Sequence, residues 1–261
     1  YNQSGAGLAG DMDGDGLLDD WETCGIDIDQ DGTIDLDLPA LGANPAVKDI
    51  FIEVDAMSGR APSATTLARV TAAFAAHGIV LHPILDETAV TLAAWPSGFG
   101  NFDTFKAAHF GTTAERSHPD WAAKIKPAKQ QAFRYCVFAD QYGGSTSSGQ
   151  AEIGGNDFYV TLGHPLWGSK TTDPDYQAGT FMHELGHTLG LRHGGADNLH
   201  CKPNYHSVMN YLWQLPNVPL LSDYWDLDYA NSGVSTLDEA VLSEGAGIGG
   251  LAGSRVLCGP A

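Results

Sequence analysis

Basic residues are scarce in this sequence, with 13 lysines and arginines among 261 residues against 32 aspartates and glutamates, a formal net charge of −19. A field of that sign disfavours nucleic acid and anionic membrane surfaces and favours divalent cations. No apolar run approaches the roughly 18 residues that a membrane-spanning helix needs. Cysteine is limited to Cys24, Cys136, Cys201 and Cys258, and no two of them form a CxxC pair. An even number without metal-ligand spacing predicts two disulfides, in any of three pairings, in an oxidising compartment. Four free thiols in a cytosolic protein are the plainer alternative. The sequence opens on Tyr1-Asn2-Gln3 with no basic or apolar leader, so the expectation is a secreted, mature chain whose signal and pro-segment have been removed.

What is present is unevenly distributed. Eleven acids (Asp11, Asp13, Asp15, Asp19, Asp20, Glu22, Asp27, Asp29, Asp31, Asp35 and Asp37) precede the first basic residue, Lys48. Residues 1–47 therefore read as a separate acidic segment, rich in Gly and loops, that needs ions to hold a shape. Composition changes at 48. The run 49–55 (DIFIEVD) has the β-branched and aromatic content of a strand. Residues 62–77 place Leu67, Val70 and Phe74 on one helical face, with Gly78 at the C-terminal end. A second strand is expected over 79–85. Strand, helix and strand in this space form a βαβ unit, so the sheet should begin with parallel strands. Further strands are expected at 133–138 and 158–162, and a short helix at 119–126. A long helix is expected over 173–191, with Phe181, Met182, Leu185 and Leu189 facing the core. A short helix at 237–243 would be capped by Thr236, with Glu239 completing a capping box.

The chemistry concentrates in His183-Glu184-Leu185-Gly186-His187-Thr188-Leu189-Gly190-Leu191-Arg192-His193. Imidazoles four apart project from one side of a helix, so His183 and His187 can share one cation. Gly190 can take a left-handed conformation, turning the chain so that His193 joins them. Three nitrogens suit zinc and leave a fourth tetrahedral position open, as catalysis requires and a structural site does not. Glu184 flanks that position as a general base. With this composition the full HExxHxxGxxH pattern arises by chance in about a few in 10⁵ chains of this length. His164, His200 and His206 read as ordinary loop histidines.

The eleven-residue stretch resembles the signature of the metzincin metalloproteases. Ser207-Val208-Met209-Asn210-Tyr211, sixteen residues beyond His193 at its methionine, is similar to the Met-turn of that family. The resemblance implies that Met209 is the floor beneath the metal. It also implies that Tyr211 is a second catalytic residue, ligating zinc or supporting the tetrahedral intermediate. An α+β fold of two subdomains follows: a twisted mixed sheet with the active-site helix above the cleft (about 48–193), and an irregular lower half ending in a helix (about 194–261). Gly194 differs from the residue at that place in the astacin-like, serralysin-like, matrixin-like and adamalysin-like branches, so no branch is assigned. Substrate would lie along an exposed sheet edge, for which 150–158 is the candidate; its Gly pair reads equally as an ordinary turn.

The acidic segment carries a second pattern. Asp11, Asp13, Asp15, Gly16, Leu17, Asp19 and Glu22 occupy the key places of a twelve-residue EF-hand loop, Leu17 through its carbonyl and Glu22 bidentately. Nothing helical precedes it, so it resembles thrombospondin type 3 or dockerin-like loops. A second run, Asp27, Asp29, Asp31, Gly32, Thr33 and Asp35, repeats the first half but has Leu38 at the closing position, where Asp37 could substitute. The expectation is a secreted, monomeric, calcium-stabilised zinc endopeptidase acting on proteins or peptides, with Zn²⁺ and Ca²⁺ as cofactors. A non-enzymatic adhesion or recognition module and a zinc hydrolase of non-peptide amides are the other readings.

Overall fold

The computed structural model describes residues 10–95, 98–202, 205–216 and 225–230. Strand β1 (Asp49–Ala56) is central, because its Ile, Phe and Val side chains are buried on both faces. Helix α2 (Ala64–Ala75) returns the chain to strand β2 (Val80–Leu85), which pairs parallel to β1, as the βαβ reading predicts. Strand β3 (Phe133–Phe138) runs parallel on the other side of β1, and β5 (Asp157–Val160) parallel to β3. The short β4 (Gly149–Ala151) closes the edge antiparallel to β5, giving the order β2-β1-β3-β5-β4. The fold is thus mixed α/β with a five-stranded, mostly parallel sheet. Central parallel strands need cover on both faces, and two apolar layers supply it.

Ile52, Val54 and Ala56 face one layer, which holds Val70 and Phe74 of α2 and Phe181, Met182 and Leu185 of α6 (Pro174–Thr188). Alternate residues Phe51 and Met57 face the other, with Phe102, Phe105, Phe110 and Trp95. Helices α3 (Gly100–His109), α4 (Thr113–Arg116) and α5 (Lys126–Ala132) cover that side. A π-helical turn over Trp121–Ile125 occupies most of the short helix expected at 119–126. Leu17, Ile26, Leu36 and Leu38 of the acidic segment belong to this same layer. Leu38 is fully buried there, which accounts for an apolar residue where an EF-hand loop would close.

Glu53 and Asp55 also point into this second layer, although the strand pattern marks them only as polar. Glu53 pairs with Lys129 at 2.6 Å and accepts from the Gly111 amide, and Asp55 accepts from the Tyr135 hydroxyl. Burial raises the Glu53 carboxyl to about 7, with Lys129 working against the shift.

Two expectations are corrected. Leu189 is 38% exposed, because α6 ends at Thr188 and the periodicity no longer aims the next side chain at the core. Cys24, Cys136 and Cys201 are all free thiols. Any pairing of four cysteines into two bridges must join two of these three, so the expected pair of disulfides does not form. Cys136 is fully buried within β3, packed in the apolar layer under α6. Cys258 and the helix expected at 237–243, with Thr236 and Glu239, lie outside the described residues.

Candidate metal centre

Helix α6 begins cleanly. Asp173 caps it, its side chain accepting from the Asp175 amide at 2.9 Å, and Pro174 takes the first helical position, where its missing N–H costs nothing. Its third and fourth turns bury His183 and His187 on the side facing the cleft. Each ring is oriented through Nδ1, His183 against the Val208 carbonyl and His187 against the Leu191 carbonyl, both at 2.8 Å. A carbonyl only accepts, so each Nδ1 carries the proton and each Nε2 keeps a lone pair for a metal. The Leu191 carbonyl is in reach because Gly190 leaves the helix with φ of 91°, a conformation that a β-carbon makes costly. The same turn carries His193 back, its ring centroid 4.8 Å from that of His187 and 5.3 Å from that of His183. One nitrogen from each of the three rings lies within 4.8 Å of the others.

The electrostatics match a cation site. Burial pushes His183 down to about 3, and burial together with His187 and His200 pushes His193 down to about 4; burial also lowers His187. Neutral imidazole is the ligating form, so the trio is set for a metal near neutral pH. Glu184 is 4% exposed, and burial holds its carboxyl well above the usual range. It opens on a cleft of about 240 Å³ bounded by the three histidines, Tyr211, Gln214 and the 147–151 segment. Gly149 of β4 is packed against it: a β-carbon there would come within 2.7 Å of Glu184 Oε1 and 2.5 Å of the Tyr159 carbonyl oxygen.

Met209 is fully buried under α6, its sulfur occupying the space that a side chain at Gly186 would need. Val208 and Met209 thus orient His183 and fill the floor together. The Tyr211 ring lies 4.4 Å from His193 and 5.6 Å from His183, half-exposed at the cleft, its hydroxyl kept protonated by burial and by Glu184. His200 lies tilted against Tyr211, ring centroids 5.5 Å apart, and belongs to the site's surroundings. His164 accepts from the Leu166 amide, and the His206 ring lies tilted against Trp213. The edge strand begins at Gly149, one residue before the expected 150–158 segment, and Gly154 turns the chain with φ of 72°. Ser148, Gly149 and Gln214 carry no motif, and nothing in the sequence marks them.

In the acidic segment both loops fold on the same pattern. Asp11 accepts from the amides of Gly14 and Gly16, and Asp27 from those of Asp31 and Gly32. Asp19 accepts from Met12, and Asp35 from Ile28. In the first loop Asp11, Asp13 and Asp15 converge, and Asp15 also meets Glu22 and Asp49, with one oxygen from each within 4.8 Å of the others. Helix α1 (Asp19–Cys24) presents Glu22. Burial, then Asp15, Asp13 and Asp49, raise the Glu22 carboxyl to about 7. In the second loop Asp27, Asp29 and Asp35 converge, whereas Asp31 is bound by Lys124, which also pairs with Asp29 at 2.9 Å. Asp37 accepts from the Ala40 amide outside this cluster.

Comparison with protein-family models and with curated proteins finds no match. Among solved structures, the archaemetzincin of Methanopyrus kandleri is similar at 14% identity and a TM-score of 0.37, over 70% of this chain and 90% of that one. The archaemetzincin of Archaeoglobus fulgidus complexed with malonate is similar at 16% identity and a TM-score of 0.36, over 70% and 96% of the two chains.

Proposed function

We propose that this chain is a zinc-dependent endopeptidase of metzincin type, with His183, His187 and His193 as ligands and Glu184 as general base. The observation that carries the reading is the convergence of three imidazoles on one point beside the buried Glu184, two of them, His183 and His187, oriented by main-chain carbonyls. Zinc, when bound there, supplies Lewis acidity toward a peptide carbonyl and lowers the pKa of water. Glu184, on the cleft wall beside the three histidines, takes the proton of the attacking water and returns it to the departing amine. Gly149 leaves Glu184 room at the cleft wall. The outer side of β4 offers backbone groups to an extended peptide, which orients the scissile bond across the histidines. Tyr211, with its hydroxyl protonated and its ring against His193, is positioned to donate a hydrogen bond to developing negative charge.

The two acidic loops are read as calcium sites of structural role: Asp11, Asp13, Asp15, Leu17, Asp19 and Glu22 in the first, and Asp27, Asp29, Asp31, Thr33 and Asp35 in the second. Lys124 competes for Asp31 and weakens the second. Placement outside the cell, as a monomer acting on protein or peptide substrates, rests on those loops and on the negative charge; the free thiols at Cys24, Cys136 and Cys201 lend it nothing.

Glu184→Ala tests the enzyme reading directly. Zinc content should remain at one equivalent while hydrolysis of casein falls by about 10²–10⁴-fold. Undiminished hydrolysis removes Glu184 from its role. Casein left uncut by the wild type, or cut equally in o-phenanthroline, would favour a non-enzymatic binding module.

A further inference from the structure

Glu22 is 2% exposed, and neither of its carboxylate oxygens has a hydrogen-bond partner. Asp13 Oδ2, in the same loop, is buried without a partner as well. An ionised carboxylate buried in that way is strongly destabilising unless a cation compensates it. Lys48, the ammonium bound to this loop, is held by main chain, donating to the carbonyls of Gly14 (2.7 Å) and Asp13. What faces Glu22 instead is more negative charge. Asp15 comes from the loop itself, but Asp49 is the first residue of β1 and is 3% exposed. Its amide donates to Asp15 Oδ2 at 2.6 Å, and its own oxygens accept from His82 Nε2 at 2.6 Å and from the Asn44 amide at 2.8 Å. Each carboxylate oxygen has more than one lone pair, so these bonds leave Asp49 capacity for a cation.

We propose that Asp49 contributes a carboxylate to the cation of the first loop, so that the ion is held jointly by the acidic segment and by the first strand of the catalytic sheet. The inference rests on the calcium reading of that loop and deepens it. Hard, all-oxygen donors of high negative charge select calcium over zinc. The ion then acts as a clamp: it neutralises Glu22, Asp15 and Asp49 together and fixes the loop to β1. Through the Asp49–His82 pair it also reaches β2, at the far edge of the sheet from the cleft.

The test uses the full chain, with calcium titrated calorimetrically and terbium luminescence sensitised by Trp21, in the wild type and in Glu22→Gln and Asp49→Asn. The wild type should bind, and Glu22→Gln should lose first-loop binding. Asp49→Asn, isosteric and able to accept from the Asn44 amide through Oδ1 while its NH2 donates to His82 Nε2 in the other tautomer, should weaken first-loop affinity by about tenfold or more and lose most of the calcium-dependent rise in Tm. Wild-type affinity in Asp49→Asn, with binding lost in Glu22→Gln, overturns the role of Asp49 and leaves the loop reading intact. No binding by the wild type overturns the loop reading itself. Should Asp49→Asn fail to fold, hydrogen exchange of the wild type decides: calcium must slow exchange across 49–54 as well as in the loop. Protection confined to 10–24 overturns the clamp.

Discussion

Gly149→Ala adds a single methyl to the wall of the cleft. Built on the existing backbone, that carbon meets Glu184 Oε1 at 2.7 Å and the Tyr159 carbonyl oxygen at 2.5 Å, whereas ordinary contact starts at 3.4 Å. Glu184 must therefore withdraw by about 0.7 Å, or β4 must move away from β5, and either shift displaces a wall of the cleft. Misplacement of a reacting group by about 1 Å costs up to about 10²-fold in rate. The expected result is a fall in kcat/KM of about tenfold to a hundredfold, or about 1.4 to 2.7 kcal/mol of transition-state stabilisation. Overpacking adds a stability loss of about 1–3 kcal/mol, which thermal denaturation would detect. Zinc content, measured by plasma emission, should be unchanged, because the methyl's nearest contacts are Glu184 and the Tyr159 carbonyl. A quenched fluorescent peptide serves as substrate. Activity within twofold of the wild type, with zinc bound, would refute the claim that the position of Glu184 limits the reaction.

Tyr211→Phe keeps the ring against His193 and removes only the hydroxyl; kcat should fall by about 10–10²-fold with KM and zinc content unchanged, and an unchanged kcat would leave Tyr211 as a packing residue. Leu185→Ala removes a fully buried side chain from α6 and should cost about 2–5 kcal/mol in denaturant unfolding; a loss below about 1 kcal/mol would contradict the seating of the helix described above. Glu53 has a folded-state value of about 7 against an ordinary 4.5, so the native state binds the extra proton and stability falls as pH rises between those values. At about 1.36 kcal/mol per pH unit the loss approaches about 3 kcal/mol. In saturating calcium, Glu53→Gln should flatten that part of the stability profile, and an identical slope in both proteins would contradict it.

The sequence pattern is most legible where chemistry and local structure coincide. β1, α2 and β2 announce themselves by residue type and spacing, and the three histidines by a helical period followed by a glycine that can leave the helix. Elsewhere the signal is weak for physical reasons. Helix α3 buries only Phe102 and Phe105 in a polar stretch, so its period is faint. The π-helical turn at Trp121 has no sequence period of its own. Glu53 and Asp55 look like solvent-facing strand residues until Lys129, Gly111 and Tyr135 are seen to satisfy them. Glu184 is legible from its neighbours, but its dependence on Gly149 is not, because the two meet only when β4 is laid beside α6. Asp49 likewise reads as a strand residue, and its role at the first loop arises entirely from tertiary approach. Cysteine number misleads here, since parity says nothing about which thiols a sheet buries.

The order in which the chain supplies its parts has a consequence for synthesis. Among the described residues all five strands lie between residues 49 and 160, and the three histidines follow only at 183, 187 and 193. A polypeptide emerging from the ribosome N-terminus first has every described strand of the sheet available before any of the three clustered imidazoles. On the zinc reading, the metal site is thus assembled on a sheet whose described strands are already complete.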